Sequence, residues 1–307
     1  MGTGRASRLH PYALLAAVLA SSVWIFFWPS GRPLWESKET TLEPKQPVYY
    51  RDAVIVLMYH HLDEAAFSSA TIAPGNFGSH MQMLKDHGYA VIPMERFLAF
   101  MERGDPVPDN AVLLTFDDGY ESFYQHAYPI LREYEYAASH FIVVKTTDIF
   151  NPDALPHLNW DQMTEMKAAG MGFYNHTYDQ HRMIAADASG KVMKPALTNP
   201  QYLEAAERME TREEYLARIK ADLRLANERL DEELGEQEKL LAFPYGAYND
   251  DVLKIGDELG FRLYFTTEPG MNYSGSRTVY RVNAGSPEIT ADKLLERLQQ
   301  LHGTTAE

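Results

Sequence analysis

The chain has 307 residues, 45% hydrophobic and 23% charged, an ordinary composition for one large globular domain or two small ones. Its net charge of −15 argues against a nucleic-acid partner, because phosphate binding needs a basic surface. It has no cysteine, which excludes disulfides, thiolate metal sites and an acylated cysteine, so any metal must sit on histidine and carboxylate.

Arg5 and Arg8 precede an uncharged, apolar run at 12–28. At a rise of about 1.5 Å per residue such a helix reaches roughly 25 Å, close to the thickness of a bilayer core. The basic flank keeps residues 1–11 in the cytoplasm. Small residues at 17–22 would suit a cleaved signal peptide, but 23–28 extends the apolar run beyond them, which favours an uncleaved signal-anchor. Either way the remainder is exported: held at the cell membrane on the extracellular side, or secreted if cleavage occurs. Residues 29–50 carry Pro, Gly, Lys and Glu without periodicity and read as a tether, leaving 51–307 as the domain.

From residue 53 onward, short apolar runs alternate with amphipathic stretches. Strands are expected at 53–59, 89–93, 111–116, 140–144, 171–175, 240–243, 262–266 and 278–282. Helices are expected at 76–87, 94–101, 121–134, 161–169, 211–234, 250–259 and 291–301. Thr211 and Glu214 have capping-box spacing at the start of the longest helix. The segment 185–202 shows no pattern and is expected to be an irregular insertion. About eight βα-type units with short connections imply a parallel α/β sheet, either a barrel or a large open sheet. In both, functional groups collect at the C-terminal ends of strands. His60, Asp117, Asp118, His176 and Tyr245 all follow strand-like runs at that end.

The apolar run 111–114 leads into Thr115-Phe116-Asp117-Asp118-Gly119. A solvated turn with Asp as a helix cap would account for that pair. A buried pair would instead require a metal, a cationic partner or a raised pKa. His176 and His181 stand five apart at the end of another strand. With Asp118 they make a two-histidine, one-carboxylate face that suits a catalytic zinc or similar divalent ion. Asp117 beside such an ion could take a proton from a water activated there. His60, or its neighbour His61, could protonate a leaving group. In Phe243-Pro244-Tyr245-Gly246, the Pro and Gly bracket a tight turn that could aim the Tyr245 N–H at the cleft as an oxyanion donor.

Three segments together resemble the polysaccharide deacetylase family, carbohydrate esterase family 4 with its NodB-homology domain: Thr115-Phe116-Asp117-Asp118-Gly119, His176-Thr177-Tyr178-Asp179-Gln180-His181 and Pro244-Tyr245-Gly246. The resemblance implies a distorted (β/α) barrel of about seven strands and a metal-dependent N-deacetylase. It makes Asp117 the base, Asp118, His176 and His181 the ligands of a metal, most suitably zinc, and Tyr245 the oxyanion donor. The Tyr59-His60 pair and the Asn159-Trp160-Asp161 segment resemble the branch that acts on poly-β-1,6-N-acetylglucosamine in biofilms. That branch makes His60 the acid, with Tyr59, Trp160, Pro244 and Gly246 as candidate substrate contacts.

The implied partners are an N-acetylglucosamine polymer, the membrane and a polymer synthase or export machinery. The alternatives are a deacetylase of peptidoglycan or another β-1,4 amino-sugar polymer, or a non-catalytic polysaccharide-binding module. One departure stands out. Ala242 occupies the place of the arginine that steadies the family's catalytic aspartate, which leaves the partner of Asp117 open, with Arg281 as a candidate.

Overall fold

The computed structural model describes residues 47–303. The expected cytoplasmic N-terminus, the membrane segment 12–28 and the tether up to residue 46 lie outside the described residues. Among the described residues no helix is long and apolar enough to cross a membrane.

The core is one parallel sheet. Its strands are β1 (Val54–Tyr59), β2 (Ala90–Val91), β3 (Ala111–Phe116), β4 (Ser139–Ile142), β5 (Gly172–Asn175), β6 (Leu240–Ala242), β7 (Leu263–Phe265), β8 (Thr278–Val279) and β9 (Val282–Asn283). The order is β8-β7-β6-β5-β4-β3-β1-β9, with the short β2 beside the start of β3, and every pairing is parallel. The eight-stranded path thus has one strand more than the seven expected, because the predicted run 278–282 is two strands interrupted at Tyr280 and Arg281.

The sequences of β1 and β3, VIVLMY and AVLLTF, are buried at every position. Such unbroken apolar runs follow from burial on both faces of a parallel sheet. Alternate residues of the strands divide between two cores. Val54, Val56, Ala111, Leu113, Phe141, Leu240 and Phe265 pack on one face with Phe97 and Met101 of α2 (Met94–Arg103). Ile55, Leu57, Val112, Leu114 and Phe173 pack on the other with residues of α1 (Pro74–Asp86), α5 (Trp160–Ala168) and α8 (Ala291–Gly303).

Two predicted segments differ. The stretch 121–134 is not one α-helix but a π-helical turn, Phe123–Ala127, followed by α3 (Tyr128–Glu133). Pro129 offers no N–H to the carbonyl four residues back, and its ring crowds that carbonyl, so regular α geometry cannot run through this point. The stretch 185–202 is not irregular: Met183–Ala185 pairs antiparallel with Met193–Pro195, and Tyr202–Leu203 with Arg208–Met209. Strands of two or three residues are too short to show an alternation. The two remaining helices to bear on the site's surroundings are the short α4 (Val144–Asp148) and the long α6 (Arg212–Leu234), and α7 (Asp250–Leu259) lies beyond them. α6 begins with the expected capping box: Thr211 Oγ1 accepts from Glu214 N at 3.2 Å, and Glu214 Oε2 accepts from Thr211 N at 2.8 Å.

Register places the site. Tyr59 pairs with Phe116, Phe116 with His140, Ile142 with Asn175, and Asn175 with Leu241. The residues just past β1, β3, β5 and β6 therefore emerge at one end of the sheet.

Candidate metal centre

His60, Asp117-Asp118, His176 and Tyr245 follow those four strand ends. Three of the turns carry a non-glycine residue in left-handed backbone: Asp118 at φ 76°, Thr177 at φ 74° and Tyr245 at φ 59°. Each such conformation costs about 1–3 kcal/mol and persists only where its surroundings enforce it. Here the surroundings are visible. Gly119 N donates to His140 Nε2 at 3.1 Å, Thr177 N to Asn175 Oδ1 at 2.6 Å, and Gly246 N to the Phe243 carbonyl at 2.8 Å.

Asp118, His176 and His181 each turn one ligand atom to a common point, with all three atoms within 4.8 Å of one another. His181 Nε2 lies 3.1 Å and His176 Nε2 3.4 Å from Asp118 Oδ1. Neither nitrogen is aligned to donate to that oxygen, which is buried without a hydrogen-bond partner. His176 Nδ1 donates to the Ala242 carbonyl at 2.9 Å, which leaves its Nε2 lone pair facing the other two ligands. A buried, orphaned carboxylate oxygen opposite two imidazole nitrogens is a donor set that fits a divalent cation.

Burial opposes the charge of Asp118, but the imidazoles of His176, His60 and His181 around it outweigh burial and hold the carboxyl far below its usual range. Burial likewise opposes a proton on His176, yet Asp118 and Asp117 raise its pKa, whereas burial and His176 together lower that of His181.

Asp117 is buried beside this triad, and its partner is Arg281. The guanidinium makes a two-pronged contact, Nη1 to Oδ1 at 2.7 Å and Nη2 to Oδ2 at 2.8 Å. Arg281 is itself fully buried, with Nε donating to the Thr266 carbonyl at 2.7 Å. It enters where β8 breaks from β9, so the split of the predicted strand and the replacement of the motif arginine by Ala242 belong to one arrangement. Burial works against the charge on Asp117, but Arg281 and the neighbouring His176 and His60 lower its pKa below the usual carboxylate range.

His60 Nε2 stands 4.0 Å from Asp117 Oδ2, beyond hydrogen-bond length, and His60 Nδ1 is buried without a partner. His61 turns away to Ser122 Oγ at 2.9 Å. The Tyr245 ring is half exposed and lies on His181, centroids 4.5 Å apart. Among the described residues no acceptor is seen for the Tyr245 N–H.

Of the four expected substrate contacts, Tyr59 is corrected, and Trp160, Pro244 and Gly246 are found in structural ties of their own. Tyr59 has no exposed surface; its ring stacks on Phe116 and meets the edge of Phe77, and its hydroxyl bonds His80 Nδ1 at 3.1 Å. Its place at the end of β1 turns its side chain into the core while His60 turns to the cleft. The Trp160 indole donates to Asp148 at 3.0 Å beneath the Arg229 guanidinium, a tie between α4, α5 and α6. Pro244 is buried, and a Cβ on Gly246 would meet Thr267 Oγ1 at 2.1 Å, so both shape the Tyr245 turn.

Two supports were not anticipated from the sequence. His140 accepts from Gly119 N, and burial pushes its pKa down to about 4, which keeps it neutral. On α6, Asp222 accepts from Tyr178 N at 2.9 Å, Asp179 N at 2.8 Å and Gln180 Nε2 at 2.6 Å, clamping the loop between the two histidines.

A family model described as polysaccharide deacetylase matches residues 104–264, just over half of the chain. The chain belongs to the polysaccharide deacetylase family. It is 27% identical over 270 residues to a poly-β-1,6-N-acetyl-D-glucosamine N-deacetylase of Escherichia coli K12, covering 84% of this chain and 39% of that protein's length. It is also 27% identical over 274 residues to a Staphylococcus aureus MRSA252 protein of the same name, covering 84% of this chain and 87% of the relative. A solved de-N-acetylase of Aggregatibacter actinomycetemcomitans superimposes with a TM-score of 0.73 at 26% identity, covering 80% of this chain and 100% of that one. The parallel sheet with its helices is thus the NodB-type (β/α) barrel fold.

Proposed function

We propose that the chain is a metal-dependent deacetylase that hydrolyses N-acetyl groups on an exported N-acetylglucosamine polymer, poly-β-1,6-N-acetylglucosamine being the favoured substrate. The observation that carries this reading is the buried triad of Asp118, His176 and His181 beside an Asp117 held ionised by Arg281. The names of the relatives support the substrate.

Asp118, His176 and His181 would hold the ion, with zinc suited to two imidazoles and a carboxylate. Such an ion supplies Lewis-acid polarisation of the acetyl carbonyl and lowers the pKa of water toward about 7. Asp117 accepts the proton of the attacking water, and the paired Arg281 fixes both its charge and its orientation. The Tyr245 N–H donates to the carbonyl oxygen as negative charge collects there. His60, whose Nε2 lies 4.0 Å from Asp117, delivers a proton to the departing nitrogen. The C–N bond breaks, the water oxygen stays on the acetyl carbon, and the products are acetate and a free amine.

Acetate release from β-1,6-linked oligomers, compared with β-1,4-linked ones, tests the substrate. Equal or greater rates on β-1,4 oligomers would move the assignment to peptidoglycan or a related polymer. We further propose that residues 12–28 anchor the enzyme, placing the domain outside the cell membrane beside the synthase or export machinery that delivers polymer. Activity should sediment with membranes and become soluble when residues 1–28 are deleted; soluble activity from the full chain would contradict the anchor.

A further inference from the structure

The segment between α4 and α5 encloses a cavity of about 280 Å³, lined among others by Thr147, Ile149, Phe150, Leu155 and His157. None of these takes part in the chemistry above, yet the cavity wall is tied to the metal-binding turn. Leu158 N donates to the Gly119 carbonyl at 2.8 Å, and Glu121 N to the Pro156 carbonyl at 2.9 Å. Tyr120 and His157 face each other across this short antiparallel bridge, their rings 4.9 Å apart. One turn and one strand pairing separate Asp118 from His157, on the order of 10 Å. The cavity therefore keeps a fixed distance from the reacting centre.

Its lining combines an aromatic face with unspent polar groups. Phe150 is 82% exposed, and with Ile149 at 55% and Leu155 at 40% it makes an apolar cluster along the cavity rather than a single exposed side chain. Thr147 Oγ1 is buried and has no hydrogen-bond partner, a deficit that a ligand hydroxyl would cancel. His157 Nδ1 donates to the Leu155 carbonyl at 2.9 Å, which fixes Nε2 as an acceptor, and no partner for Nε2 is seen among the described residues. An aromatic face flanked by one hydroxyl and one acceptor suits a pyranose ring, with C–H groups on its faces and hydroxyls around its rim.

We propose that this cavity is a subsite for a neighbouring sugar residue of the same amino-sugar polymer, with Phe150 stacking on the ring and Thr147 and His157 bonding its hydroxyls. The inference rests on the deacetylase reading for its ligand. It makes these residues determinants of polymer preference that take no part in bond breaking.

The test compares wild type, Phe150→Ala, Phe150→Trp and Thr147→Val on a β-1,6-linked N-acetylglucosamine pentamer and on a small chromogenic acetate ester that cannot reach the cavity. Phe150→Ala should lower the pentamer-to-ester ratio of kcat/KM about tenfold, chiefly through KM, and Thr147→Val by a smaller factor. Phe150→Trp should hold the ratio near wild type. An unchanged ratio in Phe150→Ala and Thr147→Val, or equal losses on both substrates, would overturn the subsite. If wild type released no acetate from any oligomer, the deacetylase reading would fail. The subsite would then be read by calorimetric binding of the pentamer to the same full-length variants, where equal affinity for Phe150→Ala and wild type overturns it.

Discussion

At the scale of single residues, the account turns on Arg281 and Asp117. Two fully desolvated charges are tolerable only when matched in geometry, and removing one partner typically costs about 3–5 kcal/mol. Arg281→Ala should therefore lower the thermal midpoint sharply and depress kcat, whereas pairing it with Asp117→Asn should recover much of the lost stability. A melt of Arg281→Ala within a degree of wild type would refute the pairing. Arg281→Lys keeps the charge but loses the fork, so kcat should fall at least tenfold with little change in KM, as steady-state kinetics on oligomers would show.

The acidic pair, the two histidines and the tyrosine turn were legible from their positions after strand-like runs. The base's partner was legible as a gap with a bare candidate: Ala242 showed that an arginine was missing from its usual place, and Arg281 could be named but not argued for, because it lies 164 residues from Asp117 and no local pattern links them. Tyr59 was misread for a related reason. Sequence places it at a strand end, and only the pleat decides that its ring goes inward.

At the scale of elements, α6 is more than a cover for the sheet. Its cap and its apolar repeat were readable from Thr211, Glu214, Ile219, Leu223 and Ala226, and the helix runs where they indicate. Its function was not. Asp222 lies next to buried Leu223, three residues from Ile219, on the inward face of the helix. A charge on an otherwise apolar face was the available sign that the helix binds a polar loop. Asp222→Ala leaves two backbone N–H groups and Gln180 without their acceptor, so the loop carrying His176 and His181 should loosen. We expect metal affinity to fall by about 10–100-fold, measurable by competition with a chromogenic chelator, with the fold retained by circular dichroism. Undiminished affinity would show that the loop holds itself. The hairpins around residues 183–209 could not be read in advance, since their strands offer no period to detect.

For the whole molecule, strand-end alignment is what gathers residues from 60 to 245 into one site, and the alternation of strands and helices in the sequence anticipated it. Its interior also sets an acid limit. His80 and His140 are buried and neutral, and burial pushes both pKa values down to about 4 from an ordinary value near 6.5. Their folded pKa values are depressed, so the stability tied to their neutral forms is complete above pH 6.5. It is lost as pH falls through about 4, on the order of 3 kcal/mol for each. Thermal melts across this range should show a steep decline, less steep in His80→Gln; a flat profile would contradict the neutral assignments.

The central claim, that a metal on Asp118, His176 and His181 works with the Arg281-held Asp117 to cleave N-acetyl groups, is tested most directly by acetate release from β-1,6-linked N-acetylglucosamine pentamer. Metal-loaded wild type should release acetate, chelator-treated protein should not until zinc is restored, and Asp117→Asn should retain its metal while losing nearly all turnover. Acetate release that survives chelation, or an Asp117→Asn protein as active as wild type, would contradict the account.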